Sequence, residues 1–540
     1  MRRPFLTVLA AGVPLAAAVY LPTARAEPPA ASGPAPFTCS APSVKAPQGT
    51  TVESVTAARR DGGTVNGTGV LGGSVSGVPA FCEVTVTLTH PGSDDHAKVR
   101  TWLPAEGWSG RFQGLGGAAY LAGDNGVGLG TAVKKGYAAV STDAGVGDAL
   151  DTGWALDSQG RVNTALLKNF ASRSQHEAAV VGKRVVDAVY GKPPAYSYFT
   201  GCSTGGRQGY MEAQRHPDDY DGILADAPAV HWDEFEIATL WPQVVMNNEK
   251  TYPSTCEFDA FTKAAVKACD SLDGLQDGLV NDPTRCDFDP RRLIGTKVVC
   301  EGRELTITAP DATVVRKIWD GPRTLTGKEL WYGVPVGADI SALAGHTDPD
   351  PDGNVTGTPF PVPAAWARLW VAEDPSLDLS KITYAGFTQL FKRSQAEYDK
   401  VIGTDDPDLS AFAASGGKLL TWHGEADQYI PAQGTVRYRQ QVERALGGGK
   451  KVDDFYRLFL APGTDHCGLD GADGSADGLA ALTAWVEHGK APKTLPAILT
   501  DADGQNVTRD LCGYPRISRY KGHGDPSAVA SFTCVSPPRL

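Results

Sequence analysis

The chain has 540 residues, a length that allows a large hydrophobic core and more than one domain. With 41% hydrophobic and 21% charged residues, its composition is that of a globular protein and excludes a largely disordered chain. The net charge of −12 argues against a nucleic acid or an anionic membrane as partner, because both bind basic surfaces.

The first 26 residues have the pattern of an export signal. A positive start with Arg2 and Arg3 precedes an apolar stretch, and an Ala-x-Ala cleavage site ends at Ala26. The first residues resemble a twin-arginine export signal, and export by the general secretory route is an equally weighted alternative. We therefore predict a secreted or periplasmic protein, cleaved near Ala26, with a flexible lead-in over residues 27–36.

Strands and helices then alternate along the chain. Strands are predicted at 81–90, 98–104, 136–145 and 195–201, and helices at 172–191 and 206–216. The stretch "GRFQGLGGAAYLAG" at 110–123 is predicted to be a glycine-rich loop. After residue 232 the pattern breaks, and it resumes with strands in 416–427 and 454–467 and a last helix at 477–489. This alternation predicts an α/β fold with a parallel sheet.

The break divides the chain into a core domain and an inserted domain. Residues 37–232 and 408–540 are predicted to form the core, and residues 233–407, rich in Asp, Pro, Gly and Trp, the insertion. Short helices and long loops are expected in the insertion. It is suited to be a substrate-binding lid, because loops on a rigid scaffold usually carry specificity, although its aromatic residues would equally suit a small core of its own.

A candidate nucleophile lies in "GCSTG", residues 201–205, between a predicted strand and a predicted helix. This is the context of a nucleophile elbow, in which glycines allow a sharp turn that exposes Ser203. Gly-x-Ser-x-Gly alone is also compatible with a plain glycine-rich turn. A serine hydroxyl needs a base and an acid that orients the base, and the sequence offers His466 and Asp427, each in a loop after a predicted strand.

The order Ser, Asp, His is that of α/β-hydrolases. Asp465 adjoins His466, but neighbouring side chains on a loop diverge, so it is not favoured as the orienting acid. We interpret His423, near a strand end, and His176, on a predicted helix, as structural residues.

Ten cysteines in an exported chain indicate up to five disulfides, and the absence of any Cys-x-x-Cys pair makes a zinc site the weaker alternative. Cys202 directly precedes Ser203, and Cys467 directly follows His466. A disulfide between these two cysteines would tie the nucleophile loop to the loop of the base.

Several further motifs join this constellation, and together with it they resemble the tannase and feruloyl esterase family. They are "WSGRFQGLGGAAY" (108–120), "GCSTGGRQG" (201–209), "ACDSLDGLQDGLVNDPTRC" (268–286), "GGKLLTWHGEAD" (416–427), "DHCG" (465–468), "WVEHGKAP" (485–492) and "RDLCGYPRISRYKGHGD" (509–525). The resemblance covers nearly the whole mature chain. It implies an α/β-hydrolase core with a large inserted lid domain, and a serine esterase that cleaves aromatic acid esters.

Such a mechanism needs backbone N–H donors for the oxyanion. One is expected from Thr204, directly after the nucleophile, and by position we favour Ala119 for the second. The family commonly has Gly-Asn-Gly-Gly-aromatic in that loop, whereas this chain has Gly-Gly-Ala-Ala-Tyr at 116–120.

A structural calcium site is expected in the segment 269–286 at the start of the insertion. Asp270, Asp273 and Asp277 follow one another at spacings of three and four, and calcium prefers such oxygen-rich sites. A solvated acidic turn is the alternative from the residues alone. The resemblance favours calcium and adds the backbone carbonyls of Leu275 and Leu279 as ligands. No organic cofactor is expected.

The family pattern also implies three further disulfides, and a fourth remains by subtraction: Cys39–Cys82, Cys269–Cys286, Cys512–Cys534 and, last, Cys256–Cys300. Two acidic stretches are interpreted as loops rather than metal sites. Residues 348–359 begin like an EF-hand but end in Pro359, and residues 470–478 lead to Asp477, the expected cap of the last helix.

The leading hypothesis is therefore a secreted esterase for feruloyl- or galloyl-type esters. Its partner would be a small aromatic ester, free or attached to a plant polysaccharide or polyphenol. Hydrolysis of terephthalate monoesters is the second hypothesis, because the hydrolase of mono(2-hydroxyethyl) terephthalate belongs to the same family. A non-catalytic protein that binds sugars or polyphenols is the third, and a complete triad in the correct order argues against it.

Overall fold

We describe the protein from a computed structural model, which covers residues 37–345, 356–469 and 477–537. The predicted export signal and lead-in lie outside the described residues, as do most of the two acidic loops. Asp477 does cap the last helix, because its side chain accepts a hydrogen bond from the backbone N–H of Ala480 at 2.9 Å. No helix among the described residues has the length and apolarity needed to cross a bilayer.

Strands alternate with helices over residues 111–226 and again over residues 418–488, and consecutive strands precede the first of these regions and follow the second. The strands are β1 (Thr51–Arg60), β2 (Gly63–Asn66), β3 (Ser74–Val78), β4 (Phe81–Thr89), β5 (Ala97–Pro104), β6 (Arg111–Leu115), β7 (Ala138–Thr142), β8 (Tyr196–Cys202), β9 (Gly222–Asp226), β10 (Lys297–Cys300), β11 (Arg303–Thr306), β12 (Lys418–Gly424), β13 (Tyr456–Ala461), β14 (Thr494–Thr500), β15 (Asn506–Cys512), β16 (Ile517–Tyr520) and β17 (Phe532–Val535). The helices are α1 (Val127–Lys134), α2 (Thr164–Lys168), α3 (Ser174–Tyr190), α4 (Thr204–Arg215), α5 (Trp232–Ala238), α6 (Trp241–Glu249), α7 (Thr255–Cys269), α8 (Ala309–Asp320), α9 (Ser341–Ala344), α10 (Pro361–Ala365), α11 (Tyr384–Ile402), α12 (Ser410–Ala414), α13 (Ala432–Leu446), α14 (Gly449–Val452) and α15 (Gly478–His488).

A nine-stranded sheet forms the centre of the fold, in the order β1-β4-β5-β7-β6-β8-β9-β12-β13. The pairs from β1 to β7 are antiparallel, and every later pair is parallel. This is the α/β-hydrolase arrangement, in which catalytic groups follow the carboxyl ends of parallel strands. Strands β7 and β9 are entirely buried, and residues 197–199 in the middle of β8 are buried as well, as expected for strands in the centre of a parallel sheet.

One prediction for the core domain was wrong. Residues 110–123 are not a loop throughout, because Arg111–Leu115 forms β6 in the middle of the sheet. This strand has a weak signal, since it is short and contains Gly114. The glycine is required there because a Cβ atom would lie 2.2 Å from the hydroxyl oxygen of Tyr220.

The insertion is more helical than predicted. It leaves the sheet after β9 and returns at β12, and it contains helices of 15 residues (α7) and 19 residues (α11) rather than short pieces alone. Both helices bury phenylalanines on one face, among them Phe258, Phe261, Phe387 and Phe391. Those side chains join the same apolar cluster as Tyr120 and Phe170 from the core domain, so the aromatic residues of the insertion pack into a shared core rather than one of their own.

Candidate active site

Ser203 occupies the sharp turn between β8 and α4. Its backbone has φ 63° and ψ −122°, a conformation that side chains rarely adopt. The turn closes tightly, since a Cβ atom on Gly201 would lie 2.6 Å from the carbonyl carbon of Gly205. The strained turn at the start of a helix is the geometry of a nucleophile elbow, and the helix N-terminus favours the negative charge that develops there.

His466 and Asp427 are joined by a short hydrogen bond. The two residues follow β13 and β12 respectively, and His466 Nδ1 lies 2.7 Å from Asp427 Oδ2. Because an ionised carboxylate only accepts, Nδ1 carries the proton and the Nε2 of the neutral ring is unprotonated, as a general base requires. Gln428 fixes the loop, since its side-chain oxygen accepts a hydrogen bond from the backbone N–H of His466 at 3.1 Å.

Asp427 is fully buried yet surrounded by donors. Burial alone would raise the pKa of this carboxyl, but the imidazole of His466 and hydrogen bonds from His423 and His466 outweigh burial and hold the pKa well below its usual range. Its Oδ1 also accepts the backbone N–H groups of Tyr429, at 2.9 Å, and Ile430, at 2.8 Å. The carboxylate is therefore ionised and held in one orientation at neutral pH.

His423 is a second imidazole on the same carboxylate. Its Nε2 donates to the backbone carbonyl of Ile430 at 2.8 Å and lies 3.2 Å from Asp427 Oδ2, while Nδ1 bonds the hydroxyl of Thr435 at 2.9 Å. The ring is completely buried and does not line the cavity that contains Ser203. His423 therefore orients Asp427, a role that its position at the end of a strand did not indicate.

Cys202 and Cys467 form a disulfide with a Cα–Cα distance of 6.1 Å. Cys202 is the last residue of β8, and Cys467 has a φ of 56° directly after His466. The bond therefore links the residue before the candidate nucleophile to the residue after the candidate base. The other cysteines pair as Cys39–Cys82, Cys256–Cys300, Cys269–Cys286 and Cys512–Cys534, the pairs expected from the sequence.

Two backbone N–H groups are placed as candidate oxyanion donors. In the described residues no acceptor is recorded for the N–H of Ala119 or of Thr204, and both residues line the same cavity as Ser203. Ala119 has a φ of 48°, and its carbonyl accepts the hydroxyl of Thr204 at 2.8 Å. Gln208 supports this loop by accepting the N–H of Gly117 at 2.9 Å and donating to the carbonyl of Ala122 at 2.8 Å.

These groups face a cavity of about 160 Å³, which we call the catalytic cavity. It is comparable in size to cavities of about 150 Å³ that accept a benzene ring. Its wall consists of Ala119, Ser203, Thr204, Ala229, Trp232, Phe235, Glu236, Thr239, Phe360, Val362, Tyr429, Ile430 and His466. Most of these side chains are apolar or aromatic, and five of them, from Phe235 to Val362, belong to the insertion.

Glu236 is the one acidic residue among those that line this cavity, and no motif pointed to it. It is 4% exposed, and among the described residues no hydrogen bond or ion pair is recorded for its carboxyl group. Burial raises the pKa of Glu236 to about 8, so the group is mostly protonated at neutral pH.

The acidic segment after α7 has the donors of a calcium site. Asp270 and Asp273 are buried, and neither forms an ion pair within the described ranges, whereas Asp277 accepts Arg509 Nη2 at 2.6 Å. Burial raises the pKa of Asp273 to about 7, and the carboxylates of Asp277 and Asp270 add to this shift.

The segment is closed by the Cys269–Cys286 disulfide and encloses little space. A cavity of about 20 Å³ is lined by Asp273, Asp277, Leu279 and Asn281, among others. That is room for one small occupant. The N–H groups of Leu275 and Leu279 bond the carboxylates of Asp273 and Asp277, at 3.1 and 3.2 Å. Asp273 and Asp277 line this space together with Arg509 and Arg516, and Asp270 adds a third carboxylate to the segment, so the segment offers the oxygen ligands that a hard cation prefers.

Comparison with known proteins gives a consistent result. The sequence matches the family described as "Tannase and feruloyl esterase" over residues 82–535. It is 49% identical over 464 residues to a "Probable feruloyl esterase" of Arthroderma benhamiae, covering 84% of this chain and 86% of that protein. It is 30% identical over 538 residues to the "Mono(2-hydroxyethyl) terephthalate hydrolase" of Piscinibacter sakaiensis, covering 86% of each. The solved structure of tannin acyl hydrolase from Aspergillus niger superposes with a TM-score of 0.80 at 26% identity, covering 90% of this chain and 92% of that one.

Proposed function

This chain belongs to the tannase and feruloyl esterase family and is a carboxylic ester hydrolase, and from that premise we propose that it cleaves phenolic aromatic esters through Ser203, His466 and Asp427. One observation supports this proposal most directly. The residues Ser203 and His466, and two backbone N–H groups for which no acceptor is recorded, line one aromatic cavity. The hydrogen bond from His466 to Asp427 supports the roles of base and orienting acid.

In the proposed reaction, His466 Nε2 takes the proton of Ser203 as the serine oxygen attacks the ester carbonyl carbon. The carbonyl oxygen becomes an oxyanion that the N–H groups of Thr204 and Ala119 stabilise. The imidazolium then protonates the leaving alcohol, and an acyl-enzyme remains. Water, deprotonated by His466, hydrolyses the acyl-enzyme and restores Ser203, while Asp427 stabilises the charged ring in both steps.

The proposed substrates carry a phenolic acyl group, of the feruloyl or galloyl type. Glu236 offers a neutral carboxyl group in an otherwise largely apolar wall, and such a group can exchange hydrogen bonds with a ring hydroxyl or methoxyl group. A terephthalate monoester would instead bring an ionised carboxylate into this largely apolar wall. No Lys or Arg among the described residues lines this cavity to neutralise that charge. The phenolic acyl group is therefore favoured over the terephthalate monoester.

Substrate profiling tests this choice. We expect kcat/KM to be higher for methyl ferulate and methyl gallate than for methyl cinnamate, which lacks ring oxygens, and lowest for the terephthalate monoester. Glu236→Gln keeps the hydrogen-bonding capacity, and Glu236→Leu removes it, so only the second variant should lose the preference over methyl cinnamate. A wild-type preference for the terephthalate monoester would contradict the assignment.

We also propose that residues 233–407 act as the lid, that the protein is exported, and that Asp270, Asp273, Asp277, Leu275 and Leu279 hold a structural Ca²⁺. The insertion supplies Phe235, Glu236, Thr239, Phe360 and Val362 to the wall of the catalytic cavity, which supports the lid. Five disulfides suit an oxidising compartment, as the N-terminal pattern does. When bound, Ca²⁺ would neutralise buried carboxylates. It has no part in the chemistry of the ester.

A further inference from the structure

A cluster of metal-ligand side chains lies at the far end of the helix that begins beside Ser203. His176 is in the first turn of α3, His216 directly follows α4, and Asp219 lies in the turn before β9. One nitrogen of each imidazole and one carboxylate oxygen all lie within 4.8 Å of one another. Since α4 has 12 residues and a helix rises about 1.5 Å per residue, the cluster is about 18 Å from the nucleophile.

These three side chains already contact one another. His176 Nδ1 lies 2.6 Å from Asp219 Oδ2, and the rings of His176 and His216 stack with centroids 3.9 Å apart. All three are partly exposed, so an ion can reach them from solvent. Throughout the described part of the chain, no hydrogen bond is recorded for the imidazole nitrogens of His216.

A buried carboxyl group adjoins the cluster. Glu212 is completely buried on α4, and its carboxyl group lies against that of Asp219. The groups that act on it are Asp219 and Lys183. Lys183 is itself engaged, because its Nζ donates to the backbone carbonyl of Asp219. Glu212 thus places a second carboxyl group beside that of Asp219.

We propose that His176, His216 and Asp219 form a binding site for a divalent transition-metal ion of the zinc type, with Glu212 as a buried carboxylate behind the ligands. Imidazole nitrogens with one carboxylate are ligands that zinc favours and calcium does not. Three protein ligands leave a fourth position for water. The bound ion joins α3 to the turn that follows α4, so its role is to stabilise the fold around the nucleophile helix at a distance from the ester.

Metal titration of tag-free, chelator-treated protein tests the site. With Ca²⁺ held at saturation, Zn²⁺ binding is followed by calorimetry and by the rise in Tm, and Co²⁺ by its visible absorption. We expect one equivalent of each ion to bind and Tm to rise. His176→Ala and His216→Ala should each weaken Zn²⁺ binding by more than tenfold, because losing even an outer-shell partner costs roughly 10–100-fold.

Matched variants separate this site from other effects. His488→Ala removes an exposed histidine at the end of α15, and Asp273→Asn alters the acidic segment, and both should bind Zn²⁺ as the wild type does. Asp219→Asn provides a ligand variant with a smaller change in shape, and circular dichroism checks that each variant is folded. Failure of the wild type to bind Co²⁺ and Zn²⁺, or equal binding by folded ligand variants, would overturn the proposal.

Discussion

The Cys202–Cys467 disulfide should contribute to catalysis as well as to folding, and removing it by the double substitution Cys202→Ala and Cys467→Ala tests this. The bond closes 265 residues, so chain entropy assigns it about 5–6 kcal/mol of stability. Locally it holds the residue before Ser203 against the residue after His466. A displacement of about 1 Å between reacting groups costs roughly 10²-fold in rate, and we expect kcat/KM to fall by about that factor in the folded variant.

The Cys39–Cys82 disulfide provides the matched control. It spans 43 residues and lies at the start of the described chain, so its loss should cost about 4 kcal/mol without touching the catalytic groups. Both variants are assayed with methyl ferulate at a temperature where urea titration shows each to be folded. The control should keep the wild-type kcat/KM. If the variant that lacks Cys202 and Cys467 also keeps the wild-type kcat/KM, the disulfide does not position the base.

Three further predictions concern the carboxylates. Asp427→Asn should lower kcat by about 10⁴-fold, because the amide no longer fixes the His466 tautomer, and a loss below tenfold in steady-state assays would exclude the proposed role. Because burial raises the pKa of Glu236 to about 8, this group costs no stability below its unfolded pKa of about 4.3 and an increasing amount as pH rises towards 8. Glu236→Gln should therefore unfold at higher urea than the wild type at pH 9 but not at pH 4, and equal differences at both pH values would contradict this. Adding Ca²⁺ to chelator-treated protein should raise Tm in the wild type and not in Asp273→Asn, and a rise of equal size in both would place the ion elsewhere.

The α/β fold and the candidate triad follow from the sequence because each depends on local signals. Short strand patterns mark β8, β12 and β13, and the groups of the site follow these strands in the chain. The order of the strands depends on contacts between distant segments and was not predicted. The strand β6 is missed because five residues with a glycine give no clear periodicity, and its position is set by Tyr220 and the strands on either side. The length of the helices in the insertion was not predicted from the sequence, because prolines and acidic turns surround them.

The roles that depend on how the folded chain arranges its side chains could not be predicted. His423 bonds Asp427, and Glu236 lines the catalytic cavity, but neither belongs to a recognisable spacing. His176 looks like an ordinary helix residue, and only the folded chain brings it to His216 and Asp219. Such groups are found from their surroundings in the folded chain, which a sequence does not display.

The most direct test of the active site is covalent labelling with a fluorophosphonate, read by intact-mass and tandem mass spectrometry. The proposed triad predicts a single adduct on Ser203, loss of both labelling and ester hydrolysis in Ser203→Ala, and much slower labelling in His466→Ala. Continued ester hydrolysis by Ser203→Ala, or a wild-type adduct on another residue, would contradict it.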